Sequence, residues 1–254
     1  MLRRTFAATA LLLALMAPAG AQAPAKLRVG VEGSYPPFSQ IGTDGKLQGF
    51  DIDIANAVCA EMKSDCTLVQ QEFDGMIPAL NARKFDMIVA SLTITEERRK
   101  AVEFSDSYYD VPSRWIAKAG TYADPSPAAL KGKTIVALRN SPRAKYLADA
   151  YKDSAVLLAD KETGVYMELA AGRADIALRS AVVSSEAFLK KPEGQGFAAV
   201  GQPVRIGTSG VGIAMRKADT DLRDRVNAAL KAIRANGTYD RLQKQYFDFD
   251  VSGP

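Results

Sequence analysis

The chain has 254 residues, 33 Lys+Arg against 29 Asp+Glu, with 47% hydrophobic and 24% charged positions; that composition excludes a disordered or collagenous chain. It contains no histidine and two cysteines, which excludes imidazole acid–base chemistry, His-ligated metals, a four-cysteine zinc site and a disulfide-dense scaffold. No Lys/Arg run is interleaved with aromatics, so nucleic acid is not expected as a partner.

Arg3 and Arg4 precede an apolar run from Phe6 to Met16, followed by Ala19-Gly20-Ala21. This is the order of a secretory signal peptide, and the run is shorter than the roughly 20 residues that span a bilayer. Cleavage is expected after Ala21, giving a signal peptide over residues 1–21 and an exported mature chain. In an oxidising compartment Cys59 and Cys66, seven apart, read as one disulfide, with two free thiols in the core as the alternative.

Leu27–Val31 is a β-type run closed by Gly33 and the turn-rich Ser34-Tyr35-Pro36-Pro37, and Thr43-Asp44-Gly45-Lys46 is a tight turn. Apolar residues at Ile54, Val58 and Met62 predict an amphipathic helix over Phe50–Met62. A strand at Thr67–Gln70, a helix over Asp74–Ala82 and a strand at Asp86–Val89 follow. Strand and helix alternating at this spacing predict a parallel sheet with crossover helices. The stretch Phe104–Lys118 reads as extended. A second set then begins: strands at Thr134–Leu138, Ala155–Leu158 and Asp175–Leu178, with helices over Arg143–Tyr151, Glu162–Ala171 and Val182–Leu189. A second extended stretch, Val204–Met215, leads back to helices over Leu222–Ala235 and Tyr239–Tyr246, with Gly237 between them.

Two β/α sets joined by two extended crossings predict an α/β protein of two lobes with a cleft between them. The expected division is 22–109 plus 207–254 for the first lobe and 110–206 for the second, hinge strands included. An internal echo agrees: Lys84-Phe85-Asp86-Met87-Ile88-Val89-Ala90-Ser91 aligns with Arg173-Ala174-Asp175-Ile176-Ala177-Leu178-Arg179-Ser180. Because ligands of open α/β sheets bind at the carboxyl ends of strands, Ser91 and Ser180 are expected to face each other across the cleft.

In Ala90-Ser91-Leu92-Thr93-Ile94-Thr95-Glu96-Glu97-Arg98 a strand ends and a short helix begins at Thr95. Arg98 can turn back to the strand end as a carboxylate receptor, or lie solvated beside Arg99 and Lys100. Asn140-Ser141-Pro142 opens a helix, with Ser141 suited to the cap and Pro142 to the first position; the segment is either a second anion contact or a cap alone. No catalytic constellation is present: there is no nucleophile elbow, no P-loop and no histidine to activate a serine.

These strings resemble the bacterial periplasmic polar-amino-acid-binding proteins of ABC importers, most closely the lysine/arginine/ornithine- and histidine-binding kind. The resemblance runs from Leu27 to about Phe249. It rests on Gly33-Ser34-Tyr35-Pro36-Pro37-Phe38, Gly49-Phe50-Asp51-Ile52-Asp53-Ile54 and Phe73-Asp74-Gly75-Met76-Ile77-Pro78-Ala79-Leu80. It also rests on Ala90–Thr95 with Arg98, Phe104-Ser105-Asp106, Ala171-Gly172-Arg173-Ala174-Asp175 and Gly237-Thr238-Tyr239-Asp240.

The resemblance implies a type II periplasmic-binding-protein fold, a two-lobed "Venus flytrap" with two hinge crossings. It implies a periplasmic, monomeric binder without cofactor or metal, delivering one small molecule to a membrane permease, and a Cys59–Cys66 bridge. Carried over by position, Arg98 clamps the ligand α-carboxylate with the Thr93 N–H, and the Ser91 carbonyl and Thr93 hydroxyl take the α-ammonium. Ala90 and Leu92 flank those contacts. Tyr35 and Phe73 sandwich the ligand side chain, and Glu32 meets its distal end, where basic-amino-acid binders carry Asp. Asn140, Ser141 and Arg143 complete the second-lobe wall.

Two positions depart from the family pattern. Pro142 stands where a Thr usually gives its N–H to the carboxylate, and proline has none; Ser180 stands where an Asp pairs with the ammonium. Arg139, Arg143 and Arg179 either add positive charge beside these positions or lie exposed. The ligand is therefore an ordinary amino acid, polar or basic, or an opine-like derivative or organic acid without a free α-ammonium. A sensing role remains an alternative to uptake. An enzyme like the cyclohexadienyl dehydratases is the least favoured reading, since Ser180 removes the obvious carboxyl acid from the cleft.

Overall fold

The computed structural model describes residues 25–206 and 210–252, so the expected signal peptide lies outside the described residues. In chain order the first lobe opens with β1 (Lys26–Val31), then β2 (Ser34–Tyr35), β3 (Ser39–Ile41) and β4 (Leu47–Gln48). Helix α1 (Phe50–Glu61), β5 (Asp65–Gln70), a 3-10 turn at Phe73–Gly75, α2 (Met76–Asn81), β6 (Met87–Ile88), α3 (Glu96–Ala101) and β7 (Glu103–Tyr109) follow. The second lobe contains β8 (Ser113–Lys118), β9 (Thr134–Leu138), α4 (Pro142–Ala150), β10 (Ala155–Ala159), α5 (Glu162–Ala170), β11 (Ile176–Ser180), α6 (Ala181–Ser184) and β12 (Phe197–Val204). The chain then returns to the first lobe for β13 (Val211–Met215), α7 (Thr220–Ala235) and α8 (Thr238–Tyr246).

The first lobe is built on a sheet of order β5-β1-β6-β13-β7 and the second on β10-β9-β11-β8-β12. In each, three strands run parallel through helical crossovers, and the strands next to the crossings, β13 with β7 and β8 with β12, pair antiparallel. The chain passes from one sheet to the other between β7 and β8, at residues 110–112, and back between β12 and β13. The C-terminal segment ties down the first crossing, where the Asp110 N–H donates to the Val251 carbonyl at 2.9 Å.

The echo seen in the sequence is structural. Asp86 accepts the Arg28 N–H at 2.9 Å, and Asp175 accepts the Thr134 N–H at 2.8 Å. Each Asp thus pins the entry of a central strand to its parallel neighbour, and both strands run toward the cleft. The core of the first lobe is aromatic where it meets the crossing: Tyr109 stacks on Phe38 at 4.6 Å between centroids, and Phe50 packs edge-on to Tyr239 and Phe247. Such rings bury large areas with few rotamers, which gives the cleft a stiff floor.

Four expectations need adjustment. The stretch Phe104–Lys118 is two strands in different sheets, broken at Pro112. Likewise Val204–Met215 is the end of β12 and then β13. Val182–Leu189 is not one α-helix: α6 ends at Ser184 and continues as a wider π turn over Ser185–Leu189. The Ser184 hydroxyl donates to the Ser180 carbonyl at 2.8 Å, competing with the helical ladder there. Residues 34–48, read as turns, form a small antiparallel sheet β2-β3-β4. Cys59 and Cys66 are disulfide-bonded, joining the last turn of α1 to the start of β5.

Candidate ligand-binding site between the lobes

The carboxyl ends of β6 and β11 meet across the cleft. Ser91, just past β6, has φ 53°, and Asn140, just past β9, has φ 54°. Both are non-glycine residues in the left-handed region, a strain of order 1 kcal/mol or more that collects at functional turns. The Ser91 turn is held from behind: its hydroxyl donates to Asp51 Oδ2 at 2.7 Å, and the Tyr108 hydroxyl donates to Asp51 Oδ1 at 2.7 Å. Burial lifts the Asp51 carboxyl to about 7 against those two hydrogen bonds.

Two adjoining spaces that share Tyr35, Ser91, Thr93, Pro142 and Arg143 form the inner cleft. A hinge-side chamber of about 370 Å³ is bounded by Tyr35, Ser91, Thr93, Tyr109, Ser113, Pro142, Arg143 and Ser180. Beyond it the cleft narrows to about 10 Å³, roughly one water molecule, between Glu32, Tyr35, Phe73, Ala90, Leu138, Ser141 and Arg179. Ser91 and Ser180 do line one chamber, as the echo suggests.

Arg98 is buried rather than solvated, and it holds the lobes together. One Nη donates to the Thr93 carbonyl and the other to the Asn140 carbonyl, each at 2.9 Å. Its guanidinium carbon lies 5.4 Å from the centre of the Phe73 ring. The helix that carries it starts at Thr95, whose hydroxyl accepts the Arg98 N–H at 3.2 Å. Burial and then the charge of Arg143 bring the guanidinium down to about 10, so it remains cationic at neutral pH. Arg98 sits at the edge of the two spaces and is not part of their lining.

Glu32 is 4% exposed. Its carboxylate accepts from the Ser34 hydroxyl at 3.0 Å, and burial lifts it to about 7, opposed by that bond and by the charge of Arg179. Arg179 is 1% exposed and forms a buried ion pair with Glu162, its Nε donating to Oε1 at 3.0 Å. The Tyr166 hydroxyl donates to the same oxygen at 2.7 Å. Burial draws the Arg179 guanidinium down to about 10. Arg143 points into the chamber, its Nε donating to the Ser113 hydroxyl at 2.8 Å. Arg139 is apart from these, exposed and paired with Asp160 at 2.6 Å.

The remaining expected residues divide. The Ser141 hydroxyl accepts the Ala144 N–H at 3.2 Å and donates to the Leu138 carbonyl at 2.6 Å, so it caps α4, with Pro142 in the first turn. The Asn140 side chain donates to Asp74 of the first lobe, and Lys161 pairs with Glu72 at 2.8 Å; both links close the cleft from outside. Leu92 is buried in the first-lobe core and does not line the space. The sequence reading missed Asp51, Glu162 and Asp74 as parts of the site. Asp51 falls within a string that carries the family resemblance, but nothing in spacing shows that it anchors Ser91 forty residues on.

A cleft between two lobes, closed by an arginine from one and backbone carbonyls from both, is the architecture of a protein that shuts around a small ligand. The family model for bacterial extracellular solute-binding proteins, family 3, matches residues 27–249, and the chain belongs to that family. It is 44% identical over 232 residues to an L-arginine-binding protein of Pseudomonas aeruginosa, covering 89% of this chain and 90% of that protein. A lysine/arginine/ornithine-binding periplasmic protein of Escherichia coli is 39% identical over 259 residues, covering 99% and 100%. Among solved structures, an ancestral arginine-binding protein bound to arginine superposes with a TM-score of 0.82 at 34% identity, covering 89% of this chain and all of that one. An ancestral amino acid-binding protein, a precursor of cyclohexadienyl dehydratase, has a TM-score of 0.77 at 30% identity, covering 88% and 96%.

Proposed function

We propose that the protein is the periplasmic binding component of an amino-acid ABC importer, taking a cationic L-amino acid, arginine foremost, and delivering it to a membrane permease. The observation that carries this reading is the buried Glu32 carboxylate in the narrow part of the cleft, a space that also holds Phe73, the ring on which the Arg98 guanidinium rests. An acid and a guanidinium both set around one cleft suit a molecule with a carboxylate head and a cationic tail. The names of the most similar relatives support the same class.

In this reading three N–H groups of Arg98 remain beyond the two bonded to carbonyls and take the α-carboxylate, with the Thr93 N–H beside them. The Ser91 carbonyl, the Thr93 hydroxyl and the Ser180 hydroxyl accept from the α-ammonium. Tyr35 and Phe73 flank the aliphatic stem, and ionised Glu32 pairs with the distal cation. Closure follows because Arg98 touches both lobes and the ligand at once, so binding favours the shut state.

The protein is a binder in this account and not a dehydratase: the relatives matched nearly end to end are named for binding. Incubation with prephenate or arogenate should leave both unchanged. Calorimetric titration of ligand-stripped protein should give one site for arginine, and weaker or absent binding for norleucine, which has a stem of similar length and no cation. Equal affinity for the two would reject the cationic class.

A further inference from the structure

An amino acid brings an α-ammonium into the cleft, and the cleft surface offers it little negative charge. Glu32 and Asp110 are the acidic residues that line the two spaces. Glu32 is assigned above to the ligand's distal cation, and Asp110 is engaged by Arg205. One further carboxylate stands directly behind the wall. Asp51, in the first turn of α1, is fully buried. Its two oxygens accept the Ser91 and Tyr108 hydroxyls, each at 2.7 Å, and among the described residues no lysine or arginine pairs with it. A buried carboxylate held by neutral hydroxyls alone is a costly arrangement, because charges taken out of water are normally matched by an opposite charge. Its charge also reaches the cleft. Burial first, and with it the Asp51 charge, raises the Tyr109 hydroxyl of the chamber and the Glu32 carboxyl of the narrow part.

We propose that Asp51 is the counter-charge of the ligand's α-ammonium, acting through Ser91 as a positioning residue. This rests on the amino-acid reading above and deepens it. In that reading the Ser91 carbonyl takes the ammonium, and Ser91 lines both spaces. Its φ of 53° is a conformation that a serine leaves unless something holds it; the hydrogen bond to Asp51 is that hold. The carboxylate therefore does two things. It fixes the direction of the carbonyl, and it sets a negative charge on the far side of Ser91 from the bound nitrogen, where little water remains to screen it. Tyr108 keeps the charge in place by holding the second oxygen. A ligand without the α-nitrogen gains nothing from this charge, so Asp51 selects amino acids over the corresponding plain carboxylic acids.

The test is calorimetric titration of ligand-stripped protein at about pH 8, above the value of about 7 to which burial lifts Asp51. Two ligands are compared: L-arginine and 5-guanidinopentanoate, the same molecule without its α-amino group. The wild type should bind arginine roughly tenfold or more tighter than the des-amino compound. Asp51→Asn keeps the shape of the side chain and removes its charge, and the ratio of the two affinities should fall about fivefold or more. A smaller fall overturns the proposal, because a purely structural role weakens both ligands alike. If Asp51→Asn does not fold, Ser91→Ala, which cuts the link between the carboxylate and the turn, carries the same comparison with the same threshold. Loss of the ratio in Asp110→Asn, with Asp51→Asn retaining it, places the ammonium on Asp110 and also overturns the proposal. A wild type that binds both compounds with a smaller preference than tenfold overturns the counter-charge and leaves a binder of cationic carboxylates standing. A wild type that binds neither overturns the amino-acid reading with it.

Discussion

Arg98 of the first lobe donates to the Asn140 carbonyl of the second at 2.9 Å, while its other terminal nitrogen holds the Thr93 carbonyl at the same distance. The side chain proposed to grip the ligand carboxylate is therefore also a latch between lobes. Arg98→Ala should remove both roles. Losing a buried charged partner costs about 2–5 kcal/mol, so arginine binding should weaken roughly 30-fold to several thousand-fold by calorimetry. Small-angle scattering of the unliganded variant should show a larger radius of gyration than wild type. Unchanged affinity would place the carboxylate elsewhere, on Arg143.

With Glu32 as the proposed partner of the ligand's distal cation, affinity should depend on pH. Its carboxyl is raised from 4.5 to about 7, and a cationic ligand tail selects the ionised form. Arginine affinity should be flat above pH 7 and fall about tenfold per unit below it, while Glu32→Gln should bind weakly at every pH. The stability of the unliganded protein runs the other way. Between 4.5 and about 7 the folded state holds a proton that the unfolded chain has released, so this contribution is full below 4.5 and is lost as pH rises through 7. Asp51, raised from 3.8 to about 7, adds in the same direction. Chemical denaturation of unliganded protein at about pH 5 and pH 8 checks the sign.

The Arg179–Glu162 pair should be costly to break and tolerable to remove. Glu162→Gln strands a buried guanidinium and should cost about 3–5 kcal/mol, a fall in Tm of roughly 10 °C. Replacing the whole set with apolar residues, Glu162→Leu with Arg179→Met and Tyr166→Phe, should recover most of that loss, because no buried charge or hydroxyl is then left alone. Thermal unfolding of the two variants side by side decides this.

The Cys59–Cys66 bridge closes a short loop, so its effect on the unfolded chain is modest. Loop closure over that separation gives about 2.5 kcal/mol. The variant Cys59→Ser with Cys66→Ser should lose about that much by denaturant titration and keep its arginine affinity, since neither sulfur lines the cleft.

Much of the frame was legible because strand and helix periods differ and repeat. The Asp-to-Ser echo located both central strands, and their ends do meet at one chamber. The four apolar positions of α7, Leu222, Val226, Leu230 and Ile233, all pack on the first-lobe core. What sequence could not show is which polar residues are buried together. Arg179 beside Ser180 reads as a surface charge by composition, and its burial depends on Glu162, seventeen residues earlier on another element. Ser141 read equally as a cap or a ligand contact, and only its two hydrogen bonds show the cap. The π turn after Ser184 was hidden for a similar reason, since apolar spacing does not register a hydroxyl drawn to a backbone carbonyl.

The central claim is a cationic amino acid held between Arg98 and Glu32, and a crystal structure with L-arginine tests it most directly. The account predicts the α-carboxylate on Arg98 and the Thr93 N–H, the stem between Tyr35 and Phe73, and the ligand guanidinium on Glu32. An arginine lying with its carboxylate toward Glu32, or bound outside the interlobe cleft, would contradict it.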